Sequence, residues 1–237
     1  MPNLIKNRIT LNGSLEDINS FIESFSTKIK SQFSKAHNGQ WICSESETKQ
    51  FRGWFNPKDG IFTFQKDKSV QIGLPENMEP EIRESFLLFP DLYKVVPMPE
   101  ILKDTSSPNN VNAKECIEAT GFPDWYSWKN KNWGTKWGAY NCERKAINIF
   151  EFDTAWSAIP EMVRLMHQEF PCVEITYKYS DEDTGYNCGI YKFKKRECEE
   201  NIFEGGSLEA YELAFDLRPS YKENYVLIDG NYKYSDE

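Results

Sequence analysis

Residues Leu4 to Leu11 alternate Ile5, Asn7, Ile9 and Leu11 with Lys6, Arg8 and Thr10, and Asn12-Gly13 ends the run, the pattern of a half-buried strand. Ser14 then stands where an N-cap is wanted, with Glu16 and Asp17 in the first turn. Leu15, Ile18, Phe21, Ile22, Phe25 and Ile29 fall on one helical stripe, which predicts a helix over about 15–29. The same stripe returns in Ile159, Met162, Val163, Met166 and Phe170, with Pro160 in the first turn and Pro171 as the stop. Val173, Ile175, Tyr177 and Tyr179 alternate again, DEDTG supplies a turn, and Tyr186 to Lys194 predicts the next strand.

The middle of the chain is less regular. Between residues 31 and 90 short apolar pieces (WIC, FRGWF, GIFTF, SVQIGL) are cut by Gly, Pro and charges, which predicts short strands or hairpins in an insertion, with Pro80 to Phe89 as a short helix. Leu92 to Met98 reads as a strand, and Pro99 to Thr120 as a loop followed by a helix near Asn112 to Ala119. Asp124 can cap a further helix that Gly134 ends, and Trp137 to Cys142 with Ile147 to Phe152 suit a hairpin. In the tail, YELAFDL and YVLIDG read as added strands. Together these elements predict an α+β fold: an antiparallel sheet with helices packed on one face, a ferredoxin-like core. Residues 1–195 form a single domain in this reading, with the insertion at about 31–90. Residues 196–237 form an acidic C-terminal extension that packs on the sheet or extends it.

Composition narrows the function classes. At 39% hydrophobic and 15% aromatic, the chain can bury a sizeable core. It has no run of 18 apolar residues and no basic start leading into an apolar stretch, so the expectation is a cytoplasmic protein without a membrane partner. Its six cysteines make no CxxC pair, and His37 and His167 are the only histidines, so no metal site and no cofactor is predicted. The net charge of −9 disfavours broad binding to polyanions. Its distribution is uneven: residues 196–237 hold eleven acidic and four basic residues, whereas residues 122–145 hold five basic and two acidic.

That locally basic stretch is also where the tryptophans gather, five of the seven lying between Trp125 and Trp156. Trp125, Trp128, Trp133, Trp137 and Trp156 could all be core. The polar and basic residues among them, Lys129, Lys131, Asn132, Thr135 and Lys136, suit stacking on a planar or anionic ligand, and Lys129, Lys131, Asn132, Lys136 and Trp137 are the members expected at the surface. Glu151 and Asp153 share one face of a strand, with Asp153 close to Trp156, and paired carboxylates can perform acid and base chemistry if burial shifts one of them. Asp183-Thr184-Gly185 matches the aspartic protease triplet in letters only, since acidic residues precede it and Tyr186 follows; a turn explains it better. His167 flanks its helix stripe as a packed or surface residue. The reading that follows is a non-catalytic binding module whose partner is a host or phage protein or nucleic acid. Two alternatives stay open: an acidic nucleic-acid mimic that inhibits a host protein, and a hydrolase or transferase using Asp153 and Glu151.

NWGTKW (Asn132 to Trp137), FDTAWS (Phe152 to Ser157), the opening MPN and KVVPMPE (Lys94 to Glu100), taken in that family's order, make the chain resemble the YubB-like family of uncharacterised bacterial, plasmid and phage proteins. The resemblance implies a ferredoxin-like C-terminal part and a mobile-element setting, and it hands over no catalytic residue. Two departures stand out: Ala158 and Ile159 precede Pro160 where prolines would follow Ser157, and the acidic tail looks additional.

Overall fold

The computed structural model describes residues 3–35, 41–46, 49–56, 61–64, 71–73 and 81–235, with residues 28–87 described by their backbone. His37, Pro80 and the last two residues lie outside these ranges. The chain forms two compact units, Thr27–Leu88 and the remainder, Met1–Ser26 with Phe89–Glu237.

The larger unit begins with β1 (Leu4–Asn12) and α1 (Leu15–Phe25), where the Ser14 side chain accepts a hydrogen bond from the Asp17 N–H. The helix stops at Phe25, short of the predicted Ile29, because Ser26 is extended and the next strand starts at Thr27. The smaller unit is a sheet of six strands, β2 (Thr27–Lys35), β3 (Trp41–Ser46), β4 (Lys49–Asn56), β5 (Ile61–Phe64), β6 (Gln71–Gly73) and β7 (Glu81–Leu88). They lie in the order β6-β5-β4-β3-β2-β7. The expected helix from Pro80 to Phe89 is therefore wrong: Glu81–Leu88 pairs with β2 along its length.

Four helices follow: α2 (Leu92–Val95), α3 (Glu100–Lys103), α4 (Ala113–Thr120) and α5 (Trp125–Asn132). The expected strand at Leu92 is a helical turn instead, because the Asp91 carboxylate accepts from the Tyr93 N–H as an N-cap. Then come β8 (Tyr140–Ala146), β9 (Ile149–Ala155), α6 (Pro160–Glu169), β10 (Glu174–Asp181), β11 (Cys188–Lys194) and β12 (Glu197–Ile202). The tail adds α7 (Leu208–Leu217), a 3-10 turn at Pro219–Asn224 and a hairpin of β13 (Tyr225–Ile228) and β14 (Asn231–Tyr234). YELAFDL belongs to α7 rather than to a strand. Its Ala210, Leu213, Ala214 and Leu217 recur at helical spacing and are buried together with Phe215, and Ser207 is the N-cap.

The main sheet runs β12-β11-β10-β1-β9-β8, antiparallel throughout. Its four strands β10-β1-β9-β8, with α1 after β1 and α6 after β9, trace the split βαβ path of a ferredoxin-like α+β fold. Ile5, Ile9 and Leu11 are buried on the face where Phe21 and Phe25 of α1, Phe89, Phe150 and Phe170 meet ring to ring. On the opposite face, Arg8 and Lys178 reach Asp216 of α7 at 2.8 Å each, and Cys188 packs among Ala210, Leu213 and Leu217. The tail is fitted closely to the sheet. A side chain at Gly185 would meet the Tyr211 ring and one at Gly205 the Tyr186 ring, and the Gly206 N–H donates to the Gly185 carbonyl at 2.8 Å. Among the described residues, no helix is long and apolar enough to cross a membrane.

Candidate functional site

The tryptophan-rich stretch separates into packed and presented members. Asp124 caps α5 by accepting from the Ser127 N–H, which sets Trp125, Lys129 and Trp133 in line at spacings of four. Trp128 and Trp133 are buried, edge to face, and the Trp133 indole N–H donates to the Val96 carbonyl at 2.9 Å. Both therefore serve the core. Thr135 is buried as well; its hydroxyl donates to the Ala155 carbonyl at 2.8 Å. The Asn132 amide, expected at the surface, donates back to the Trp128 carbonyl of its own helix.

Two of the basic residues, Lys129 and Lys136, are also engaged within the protein. The Lys129 ammonium sits 4.9 to 5.4 Å from the ring centres of Trp133, Trp125 and Tyr93. That of Lys136 sits 5.1 Å from Trp137 and 5.7 Å from Tyr126. Lys131 is exposed. The spacing Trp125, Lys129, Trp133 was a signal for the first of these arrangements, since an ammonium at i±4 from two rings lies over both.

Trp156 is the contrasting member. It is 50% exposed and its φ is +72°, in the left-handed region that a bulky L-residue avoids. The turn around it is held from several sides. The Trp156 N–H donates to the Asn3 carbonyl, Thr135 holds the carbonyl of Ala155, and the Thr154 hydroxyl donates to the Ser157 carbonyl at 2.7 Å. Beneath lies a buried chain of polar groups. The Asn7 amide donates to the Thr154 hydroxyl at 3.0 Å, the Tyr177 hydroxyl donates to the Asn7 side-chain carbonyl at 2.5 Å, and the Ile159 N–H donates to the Tyr177 oxygen at 2.9 Å. Burial holds the Tyr177 phenol well above its ordinary pKa, so it stays a donor. Asn7 and Tyr177 were not among the expected site residues. A polar residue on the inward side of an apolar alternation was the signal for Asn7, because such a group must find a partner in the core.

Trp156 follows the end of β9 and flanks the start of β1, and the Glu182 N–H meets the other side of β1 at the Leu4 carbonyl, 3.0 Å away. Trp137, which is 38% exposed and edge-on to Tyr140, is two residues from Thr135, and Tyr126 is exposed beside Lys136. The buried Asp181 carboxylate accepts from the Asn3 and Asn187 amides and the Asp183 N–H. Arg218 closes the layer below: its guanidinium donates to the carbonyls of Leu4, Ser180 and Asp181 at 2.9 to 3.0 Å, and burial lowers its pKa.

The carboxylate pair is buried, and each member already has partners. Glu151 accepts from Arg8 at 2.8 Å and faces Lys145 at 3.8 Å; Asp153 accepts from the Asn141 amide at 2.8 Å and faces Lys6 at 3.6 Å. They act as counter-ions of the sheet face. Asp183-Thr184-Gly185 forms a turn, with the Tyr186 N–H donating to the Asp183 carbonyl. His167 is buried in α6, with Nδ1 3.0 Å from the Val173 carbonyl and its ring beside Phe193. No group of metal-ligating side chains occurs among the described residues.

The antiparallel sheet with its helices defines an α+β, ferredoxin-like protein. Residues 136–234 match the family model described as a ferredoxin-like domain in Api92-like protein. That match runs through α7 and the last hairpin, and so takes in most of the acidic tail. No match was found among curated proteins or among solved structures.

Proposed function

We propose that the protein is a non-catalytic interaction module that binds a partner protein through the end of the sheet centred on Trp156, with Trp137, Tyr126 and Lys136 beside it. One observation carries this reading: Trp156 is exposed on backbone that its own side chain disfavours, and a network of buried hydrogen bonds holds it there. A left-handed conformation at a bulky residue costs on the order of 1–3 kcal/mol and persists where surrounding structure over-determines it. A folding role alone would be met more cheaply by Gly or Asn. Exposed tryptophan is also the residue type that most often anchors a protein interface. The seating of Lys129 and Lys136 on their own rings favours a protein over nucleic acid, because of Lys129, Lys131 and Lys136 only Lys131 stands clear of a ring to meet a phosphate. The resemblance to plasmid and phage proteins supports a mobile-element setting in the cytoplasm.

The acidic-mimic alternative requires an independent tail, whereas Asp216 is bonded to Arg8 and Lys178, and Arg218 to the strand ends. The enzyme alternative requires a carboxylate free to exchange protons, and both candidates face cations.

The test is capture from host lysate with the wild type and with Trp156→Gly, Lys131→Ala serving as a surface control and circular dichroism confirming the fold. A partner retained by the control and lost by Trp156→Gly supports the reading. A full set of partners retained by Trp156→Gly ends it, and capture that depends on nucleic acid, removed by nuclease, replaces it.

A further inference from the structure

Most of the exposed aromatic rings have another ring or a cation beside them. Tyr93 meets Trp133 and Lys129, Tyr126 meets Trp125 and Lys136, and Trp137 meets Tyr140 and Lys136. Tyr221 lies under the Arg218 guanidinium, Tyr234 meets Tyr225, and Tyr186 lies against Gly205 and Gly206. Among the described residues, Trp156 and Tyr186 have neither a ring nor a cation over them, and of the two it is Trp156, exposed by half, that stands on left-handed backbone. Two exposed acidic residues lie at the same end of the sheet. Glu182 and Asp183 are exposed, and Glu182 lies on the far side of β1 from Trp156, two inter-strand spacings or roughly 10 Å away. Three cations at this end of the sheet are already committed: Lys136 to Tyr126 and Trp137, Lys6 to Asp153, and Arg218 to three carbonyls.

From this we infer that the open Trp156 ring receives an arginine side chain of the partner protein, its guanidinium stacked on the indole and directed toward the Glu182 and Asp183 carboxylates. The inference rests on the interaction reading above and adds the chemistry of the partner. A guanidinium suits the site better than an ammonium, because it is planar, stacks on an aromatic face, and can still offer N–H donors at its edge to a carboxylate. An acidic protein of net charge −9 also draws such a segment toward it.

The probe is a short Gly-Ser peptide carrying four arginines, compared with the same peptide carrying citrulline, which keeps the shape and loses the charge, and with a glutamate version. The readout is the indole N–H signal of Trp156 in a nitrogen-15 spectrum, assigned by its disappearance in Trp156→Phe. The arginine peptide is expected to shift that signal saturably and to bind at least about five-fold more tightly than the citrulline peptide. Glu182→Gln with Asp183→Asn should weaken it by a similar factor, and rising salt should weaken it further. Equal response to the citrulline or glutamate peptide, or no response to the arginine peptide at millimolar concentration, overturns the inference. So does a larger shift of the same signal with a single-stranded oligonucleotide. If Trp156→Gly loses a captured protein that Glu182→Gln with Asp183→Asn retains, the arginine assignment fails while the interaction surface stands.

Discussion

Trp133 and Trp156 stand at either side of one hydrogen-bonded connection, in which Thr135 holds the carbonyl of Ala155, and their surroundings are opposite. Trp133 is 1% exposed, its indole N–H is satisfied by Val96, and three aromatic or cationic neighbours touch its ring. Trp156 is half exposed, touches no ring among the described residues, and has φ of +72°. The first arrangement is what burial of a large side chain with one polar atom demands, so it explains stability and nothing more. The second is unfavourable by itself and needs the rest of the fold to maintain it. Tryptophan count along the chain could not separate these two cases; burial, donor satisfaction and backbone conformation do.

The comparison breaks most visibly at Trp133. Trp133→Ala removes a fully packed indole and leaves the Val96 carbonyl without its donor, so a loss of about 3–5 kcal/mol is expected in urea denaturation. A loss below about 1 kcal/mol would show that the segment around α5 is not cemented by this ring. Tyr177→Phe should cost less, about 1–3 kcal/mol, because the Asn7 carbonyl and the Ile159 N–H are left buried without a partner. This change also reaches the other side of the comparison: the Trp156 indole signal should shift although the substitution is in the core. An unmoved signal would mean that Thr135 and Thr154 hold the turn without the chain of groups beneath.

Trp156→Gly is expected to act in the opposite sense. The left-handed conformation costs a non-glycine residue about 1–2 kcal/mol, and glycine gives back roughly half of that in unfolded-state entropy, so stability should rise by about 0.5 kcal/mol. Partner capture should be lost in the same variant. Destabilisation by more than about 1 kcal/mol would assign Trp156 to packing and erase the contrast with Trp133.

Much of the frame was legible in the sequence. The alternation in β1 and β10, the stripe and Ser14 cap of α1, and the stripe of α6 follow from periodicity and capping, which are local properties. Where two periods fit the same residues, locality fails. Tyr211, Leu213, Phe215 and Leu217 satisfy a strand, Ala210, Leu213, Ala214 and Leu217 satisfy a helix, and the Ser207 cap decides for the helix. The site was only half legible. Asp124, Gly134 and the aromatic run pointed to the right region, and the charge count pointed to exposed cations, whereas Lys129 and Lys136 lie on rings. The left-handed φ at Trp156 has no local sign, since Ala-Trp-Ser contains no glycine. It arises from Asn3, Asn7, Thr135 and Tyr177, residues far apart in sequence that the order β10-β1-β9 brings together.

A further loss, bounded by solvent screening, concerns how far α7 takes part in holding the Trp156 end. Burial alone would raise the pKa of Asp216, but hydrogen bonds from Lys178 and Arg8 outweigh it and hold the carboxyl below its ordinary value of 3.8. A carboxyl lowered on folding contributes stability that is present above the unfolded-state value and is lost as pH falls through the folded-state value. The contribution of Asp216 should therefore be complete at neutral pH and fade below about pH 4. Because the group is partly exposed, it should amount to no more than about 1 kcal/mol. Asp216→Asn is expected to lower stability by up to that amount at pH 7, and the gap between variant and wild type should close as pH falls through the lowered folded-state value. Through the same helix, Arg218 reaches the Leu4 carbonyl, next to the Asn3 carbonyl that holds the Trp156 N–H. If the Trp156 indole signal stays in place in Asp216→Asn while stability falls, Arg218 alone anchors the tail to that end of the sheet; if it moves, the salt-bridged layer on the far face belongs to the support of the exposed tryptophan.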